Sequence, residues 1–476
     1  MLIRSLRICI TSSVLAFTAS TTQAVDESAA TVDYFTDTGY GSPVATIQHP
    51  AGEYHEGVTY VAYQGLDEDP YVAAYDHDTE DWVGPYQAGI SDLGKNQQTK
   101  IDNHGRPALI IDDAGYIHLV FGGHGGMTTH GKNPLGNTHL GTMKHVVTER
   151  PLDISSWEQL DNVPPFGTYN QFVKMDNADL YLFYRHGAHR SNWVYQKSND
   201  NGRTFAPPVS VLKTRPRNDM PAHDAWYAWF KKGHGDEIIA GYNYHLCKEE
   251  DVHDGERHNG YYMVMDTNDH VWRNVEGETL ETPIIKEYAD KKTLVVDTGD
   301  LWSVCGTAAL DSLGHPHVTF TTGEHMGLRH GGPKEINHYQ WTGKEWTDEG
   351  HAGLPVAVGD MDIISPKHVR LLLAHKDDKK TGEVAWWSRQ NPGDSFTKEA
   401  VLLSLKKNGV VISSMIHNAH PDARVVVASK KGNTDYSKVY LVGDNGPVKR
   451  LQVEAETLSA ADKAKIKRTK AQARGK

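Results

Sequence analysis

A short turn rich in Asp, Asn and Gly, followed by an aromatic residue, recurs along the whole chain. It appears as Asp78–Trp82, Asp153–Trp157, Asn199–Phe205, Asp266–Trp272, Thr342–Trp346 and Asn391–Phe396. Turns of this composition close hairpins, and the aromatic then packs between sheets. Upstream of these turns, alternating apolar runs come in pairs around a second Gly/Asp turn. Pro107–Phe121 is one such pair, and Ala308–Phe320 is the same unit again. Looser versions are Gln171–Tyr184, Ala225–Tyr242, Ile364–Ala374 and Ile412–Ala428, and Val58–Tyr75 opens the series. A period of two reads as strand, and no long helical period competes outside the C-terminal tail.

About seven four-strand units of this kind fit the chain. The expected fold is therefore all-β: a seven-bladed β-propeller in a single domain, residues 25–455. Two packed β-sandwiches are the alternative. The unit recurs without a linker-like interruption, which favours the propeller. Ser198–Phe205 (SNDNGRTF) is also a good copy of the Asp-box of propeller blades.

The ends of the chain read differently. Arg4 and Arg7 precede a mainly apolar stretch, Ile8–Phe17, and Thr22-Gln23-Ala24 supplies a small-x-small cleavage site. This is the layout of a secretory signal peptide, residues 1–24, so an extracellular or periplasmic protein is expected. The tail, residues 456–476, carries seven basic and two acidic residues and reads as a solvated helix or frayed end. With the tail and the two leader arginines set aside, a net charge of −12 becomes −19 for the body. That balance argues against general nucleic-acid binding. No apolar run beyond the N-terminus is long enough for a transmembrane helix, so no membrane partner is expected. Three cysteines are too few for a disulfide scaffold, and Cys9 leaves with the signal. A monomer is expected.

In a propeller blade the first two strands form an inner hairpin, so the start of one and the end of the other share a rim. Aligned on their turns, the units place His104, Tyr169, Tyr227 and Cys305 at or just before a first strand. His124, Arg185, Tyr244 and His325 fall at the end of a second strand. The run Gly122–Gly126 leaves the backbone room beside them. This rim lacks the carboxylate pair that glycoside hydrolysis uses. Gly-x-Ser-x-Gly, a phosphate loop and His-Glu-x-x-His are also missing from the sequence. What His, Tyr and Arg can do together is β-elimination next to a carboxylate. Arg neutralises a uronate, His or tyrosinate removes the C5 proton, and Tyr or His protonates the departing oxygen. No catalytic cofactor is required. His77, His118, His315 and His420 are assigned to structure.

Five strings, Asn103–Pro107, Phe121–His124, Thr168–Asn170, Phe183–His186 and His223–Tyr227, follow in an order and spacing that resembles the ulvan lyases of polysaccharide lyase family twenty-five. The resemblance covers essentially the whole mature chain. It implies a secreted seven-bladed propeller that cuts ulvan endolytically. Ulvan is an anionic algal polysaccharide of sulfated rhamnose alternating with glucuronate or iduronate, and the product would carry an unsaturated uronate. The family's catalytic set would fall on His104, His124, Tyr169, Arg185 and Tyr227. Tyr169 and His104 would share proton abstraction and donation, with the division between them open. Arg185 would grip the carboxylate bidentately, and His124 and Tyr227 would neutralise or position. Arg190, Tyr244, His245 and His325 would contact sulfates or carboxylates along the groove. For Cys247 and Cys305 a disulfide and a zinc site both stand. Related propeller lyases carry a structural metal, which favours zinc, with His253 as a further ligand among His245, His258 and His325. Such a site staples two blades and leaves no open position for catalysis. Two competitors remain at this point: a sialidase-like hydrolase on the same fold, and a non-catalytic carbohydrate-binding propeller.

Overall fold

Asp112 shows how the repeated unit folds. Its Oδ1 accepts the N–H groups of Ala114 and Tyr116 at 2.9 and 2.8 Å, and Gly115 turns the chain with φ 82°. This turn joins Ala108–Ile111 to Ile117–Phe121. In a later unit Asp311 Oδ1 accepts from Leu313 and His315, and Gly314 has φ 81°. That turn joins Trp302–Leu310 to Pro316–Gly323. The outer turns are built the same way. Gly202 N–H donates to Ser198 Oγ, Thr204 N–H donates to Asp200 Oδ1, and Phe205 packs against a cluster containing Phe172 and Leu182.

The computed structural model describes residues 30–93, 101–250, 252, 256–324, 334–351, 353–355, 357–376, 381–406, 409–430, 436–459, 461 and 464. The expected signal peptide lies outside them, as do most of the basic tail, His253 and His325.

The hairpins assemble into antiparallel sheets. One contains Ala108–Ile111, Ile117–Phe121, Lys144–Arg150 and Asp153–Leu160; the next contains Thr168–Lys174, Leu180–Arg185, Trp193–Ser198 and Val209–Leu212. Ala222–Lys232, Glu237–Lys248 and Glu256–Asp266 lead a six-stranded sheet. Sheets opening on Trp302–Leu310 and Ala357–Ile363 follow, with four strands each. A nine-stranded sheet unites the two ends of the chain: Thr36–Tyr40 pairs with Tyr436–Gly443, and Gly409–His420 meets Gly52–His55 in parallel through His417 and Glu53. The first strands of successive sheets touch in turn, and this parallel pair closes the ring. The architecture is a single-domain, all-β propeller, and the helices among the described residues are short pieces such as Lys286–Lys292.

Apolar faces meet between neighbouring sheets. Phe183 and Phe230 stack at 4.1 Å across one such seam, and Trp272 meets Phe230 edge-on at 6.1 Å. Each buried aromatic removes 150–250 Å² from water, so these seams hold the sheets in place.

Two strand assignments differ from the expectation, for one physical reason. Val58–Tyr75 supplies second and third strands, because the first strand is Gly52–His55. Ile364–Ala374 begins in a turn, because its first strand is Ala357–Ile363. Both missed strands carry a buried acid toward the axis, which breaks the apolar alternation. Glu53 accepts from Lys174 Nζ at 2.9 Å and from Ile111 N–H at 2.7 Å. Asp360 takes Lys231 and the Met415 N–H.

Candidate functional site

Backbone irregularities aim the site. Tyr169 is the second residue of its strand and has φ 63°, in the left-handed region that an aromatic residue seldom occupies. The register shifts between Thr168 and Gln171, so this is a bulge that turns the phenol. Thr168 pairs with Arg185 on the neighbouring strand, which brings Arg185 up beside Tyr169. Tyr227 comes from the adjacent sheet, its ring 5.8 Å from that of Tyr169.

Glycines bring the two histidine loops together. Gly122 N–H donates to Gly105 O at 2.8 Å, and a Cβ on Gly105 would lie 2.9 Å from the Gly122 Cα. With no side chain between them, His104 and His124 stack at 3.6 Å, their planes 12° apart. Asp102 sits beneath both rings. Its two oxygens each lie 2.6 Å from an imidazole Nδ1, one on His104 and one on His124. The tyrosine ring of Tyr169 is 5.6 Å from the His104 ring.

Arg185 is fully buried, its guanidinium 4.8 Å from the centre of the Tyr169 ring and 5.5 Å from that of Tyr227. No carboxylate pairs with its guanidinium among the described residues, and the Tyr227 phenol is the polar neighbour its charge acts on. Arg257 also lies over Tyr227, its guanidinium 4.1 Å from the ring centre. Burying a cation without a counter-charge costs several kcal/mol, so the arrangement favours an incoming anion. A cavity of about 330 Å³ opens here, lined by His104, Tyr169, Tyr227, Arg257 and Trp229 and running toward Thr307 at the axis.

The electrostatics follow from burial and charge. Burial, then the neighbouring His124, lowers His104 to about 3, so it is a neutral imidazole at pH 7. Burial alone would raise Asp102, but hydrogen bonds from the two histidines outweigh it and hold the carboxyl far below its usual range. Burial and the neighbouring Tyr227 raise the Tyr169 phenol. Burial would raise Tyr227 too, but Arg257 and Arg185 bring its phenol below the ordinary value.

The five residues expected at the rim thus converge. The outlying ones do not all join them. Tyr244 faces the other side of its strand and donates to Asp224 at 2.8 Å. His245 has no exposed surface and stands 5.5 Å behind Tyr227, so it backs the pocket and does not line a groove. Arg190 is partly exposed beside Glu249, 3.8 Å away. Cys247 is a buried free cysteine. Cys305 lies on the strand Trp302–Leu310, but its side chain is outside the described residues. Sequence reasoning missed Asp102, Arg257, His139, whose ring meets His124 at 4.7 Å, and His189, whose ring is 6.3 Å from that of His245. Asp102 carried a faint signal, two residues before His104.

Comparison with known proteins shows which family the fold and sequence resemble. The family described as "BNR repeat-containing family member" matches residues 58–352. An ulvan lyase of Nonlabens ulvanivorans is 51% identical over 436 residues, 90% of this chain and 92% of that protein. An ulvan lyase of Alteromonas sp. (strain LOR) is 48% identical over 433 residues, 88% of each. A solved family-twenty-five ulvan lyase, bound to a -[GlcA(1-4)Rha3S]- chain, superposes with a TM-score of 0.86 at 46% identity, covering 90% of this chain and 100% of that one.

Proposed function

The chain belongs to the ulvan lyases of polysaccharide lyase family twenty-five, and from that membership we propose how its own residues cut the polymer. It is a polysaccharide lyase acting on ulvan. The reaction is β-elimination at a uronate, and the observation that carries this reading is the buried Arg185 beside two phenols, with no carboxylate partner among the described residues.

The uronate carboxylate enters the cavity facing Arg257 on its wall, with the Arg185 guanidinium buried behind the two phenols and adding positive charge. Neutralising that carboxylate makes the adjacent C5 proton more acidic. His104, neutral and on the cavity wall, takes the proton. The C5–H electron pair becomes the C4=C5 double bond, and the C4–O bond breaks. Tyr169, whose raised phenol keeps its proton at neutral pH, gives that proton to the departing oxygen. No water is consumed, and one product end is an unsaturated uronate. Endolytic attack suits a site open on the ring's rim.

The same reading includes seven blades, counting the nine-stranded sheet as two four-stranded blades joined by one parallel pairing, with the short strand Gly446–Pro447 added beside Tyr436–Gly443. It includes export, supported by the leader at residues 1–24. A structural zinc also fits the donor chemistry at Cys247. The thiol is buried, strand alternation puts His245 on its face, and His189 reaches His245 from the adjacent sheet. Zinc held there would cross-link two sheets and take no part in elimination; elemental analysis of the purified protein checks it.

Ultraviolet absorbance during incubation with ulvan tests the reaction, since the conjugated product absorbs and a hydrolysis product does not. Wild type gives a rise. Tyr169→Phe loses about 10²–10⁴-fold in rate, the usual worth of a positioned acid. Arg185→Ala loses about 10²–10³-fold. A flat wild-type trace with new reducing ends would mean hydrolysis, and a flat trace without them would mean binding alone.

A further inference from the structure

Asp102 is a buried carboxylate that touches both histidines of the site. We propose that it is a positioning residue that locks His104 and His124 in one tautomer, each with its proton on Nδ1 and its lone pair on Nε2. This deepens the elimination reading and rests on it for its catalytic consequence.

An ionised carboxylate only accepts hydrogen bonds. Each Asp102 oxygen meets one Nδ1 at 2.6 Å, so each Nδ1 must be the N–H of its ring. A neutral imidazole has one N–H, which leaves Nε2 as the base on both rings. The rings stack at 3.6 Å, so a second proton on one ring opposes a second proton on the other. The carboxylate is itself held. It accepts the His104 backbone N–H at 3.0 Å, and the Asp102 backbone N–H donates to Glu68 Oε1 at 3.0 Å. Glu68 is buried in a tight turn where Asp67 and Glu68 both have left-handed φ, 56° and 66°.

The consequence is specific. In a free histidine both tautomers are populated, and the Nε2–H form cannot take a C5 proton. Without Asp102, substrate still binds near Arg185, but a fraction of the molecules hold a dead base, and the imidazolium that forms on His104 has lost the carboxylate that stabilises it. Loss of Asp102 therefore acts on kcat and leaves KM nearly alone.

Imidazole 15N spectra of the resting protein test the lock directly, with signals assigned by their loss in His104→Gln and His124→Gln. Wild type should show protonated Nδ1 and bare Nε2 on both rings. In Asp102→Asn the amide can accept from one ring but must donate to the other, so at least one ring should change to the Nε2–H form. Asp102→Ala should lower kcat about 100-fold with KM within about threefold. An Nε2–H signal from either wild-type ring overturns the proposal, as does a folded Asp102→Ala protein with wild-type kcat. If Asp102→Ala does not fold, the wild-type spectrum still decides. If wild type makes no ultraviolet-absorbing product from ulvan, the functional reading fails while the spectrum still judges the lock.

Discussion

At the scale of single residues, the site is a set of charges and phenols held apart from water. Arg257 and Arg185 share Tyr227, and their joint field lowers its phenol. Removing one of them should reverse part of that shift. Arg257→Ala is expected to move Tyr227 upward, so an alkaline spectrophotometric titration should show one tyrosine ionising later than in wild type. The same variant should lose about 10–100-fold in kcat/KM, because a second positive charge no longer faces the uronate. An unchanged titration would place the acidifying charge on Arg185 alone. His104, His124, Tyr169, Arg185 and Tyr227 were legible because each lies near the start of a first strand or the end of a second, within about a dozen residues of a hairpin turn. Arg257 was not, because it comes from the third strand of its sheet, Glu256–Asp266, and that strand reaches the rim only by its unusual length. Asp102 was not, because its role depends on two loops meeting glycine to glycine, a contact that spacing along one strand does not reveal.

At the scale of the hairpin, the repeat hides a buried histidine pair. In one unit His118 meets Asp112 at 3.2 Å and His145 at 3.0 Å. In the unit built around Asp311, His317 meets His338 at 3.2 Å. Burial is the main cause that lowers all four, with His145 and His317 each brought to about 3. The sign of the effect follows. Above pH 6.5 these groups are neutral in both folded and unfolded chains and cost nothing. Below it the unfolded chain takes up protons that the folded one refuses, so stability falls as pH drops from 6.5 toward 3. The thermal midpoint should therefore decline over that window, and His145→Gln should decline less steeply than wild type in calorimetry at pH 7.5 and 4.5. Equal slopes would remove His145 from the acid response. Hairpins such as Pro107–Phe121 were legible because Asp and Gly punctuate alternating apolar residues. Gly52–His55 and Ala357–Ile363 were not, because Glu53 and Asp360 point to ion pairs near the axis and read as loop.

At the scale of the whole molecule, the repeat made the ring legible, but not its closure. Thr36–Tyr40 lies far from any repeated unit, yet it supplies the outer strand beside Tyr436–Gly443. Gly39 is fitted to that seam: a Cβ there would lie 2.5 Å from Val439 Cγ2 and 2.9 Å from Ser437 O. Gly39→Val should cost about 1–3 kcal/mol through overpacking and lower the thermal midpoint by several degrees. The rate per folded molecule should stay at the wild-type value, because the seam contributes no group to the pocket. A lower rate at full folding would show that the ring transmits strain to the site. The net charge of −12 sets a further condition: ulvan must reach a positive pocket through a repelling field, so its capture depends on ionic strength. The seam also orders events in time. Thr36 pairs with Val439, so the strand made near the start of synthesis waits for about 400 more residues before its partner exists. Until then the chain has an open edge and no finished state to settle into. A ribosome that stops early leaves a product that proteases can take, and only a completed copy gains the protection of a closed circle.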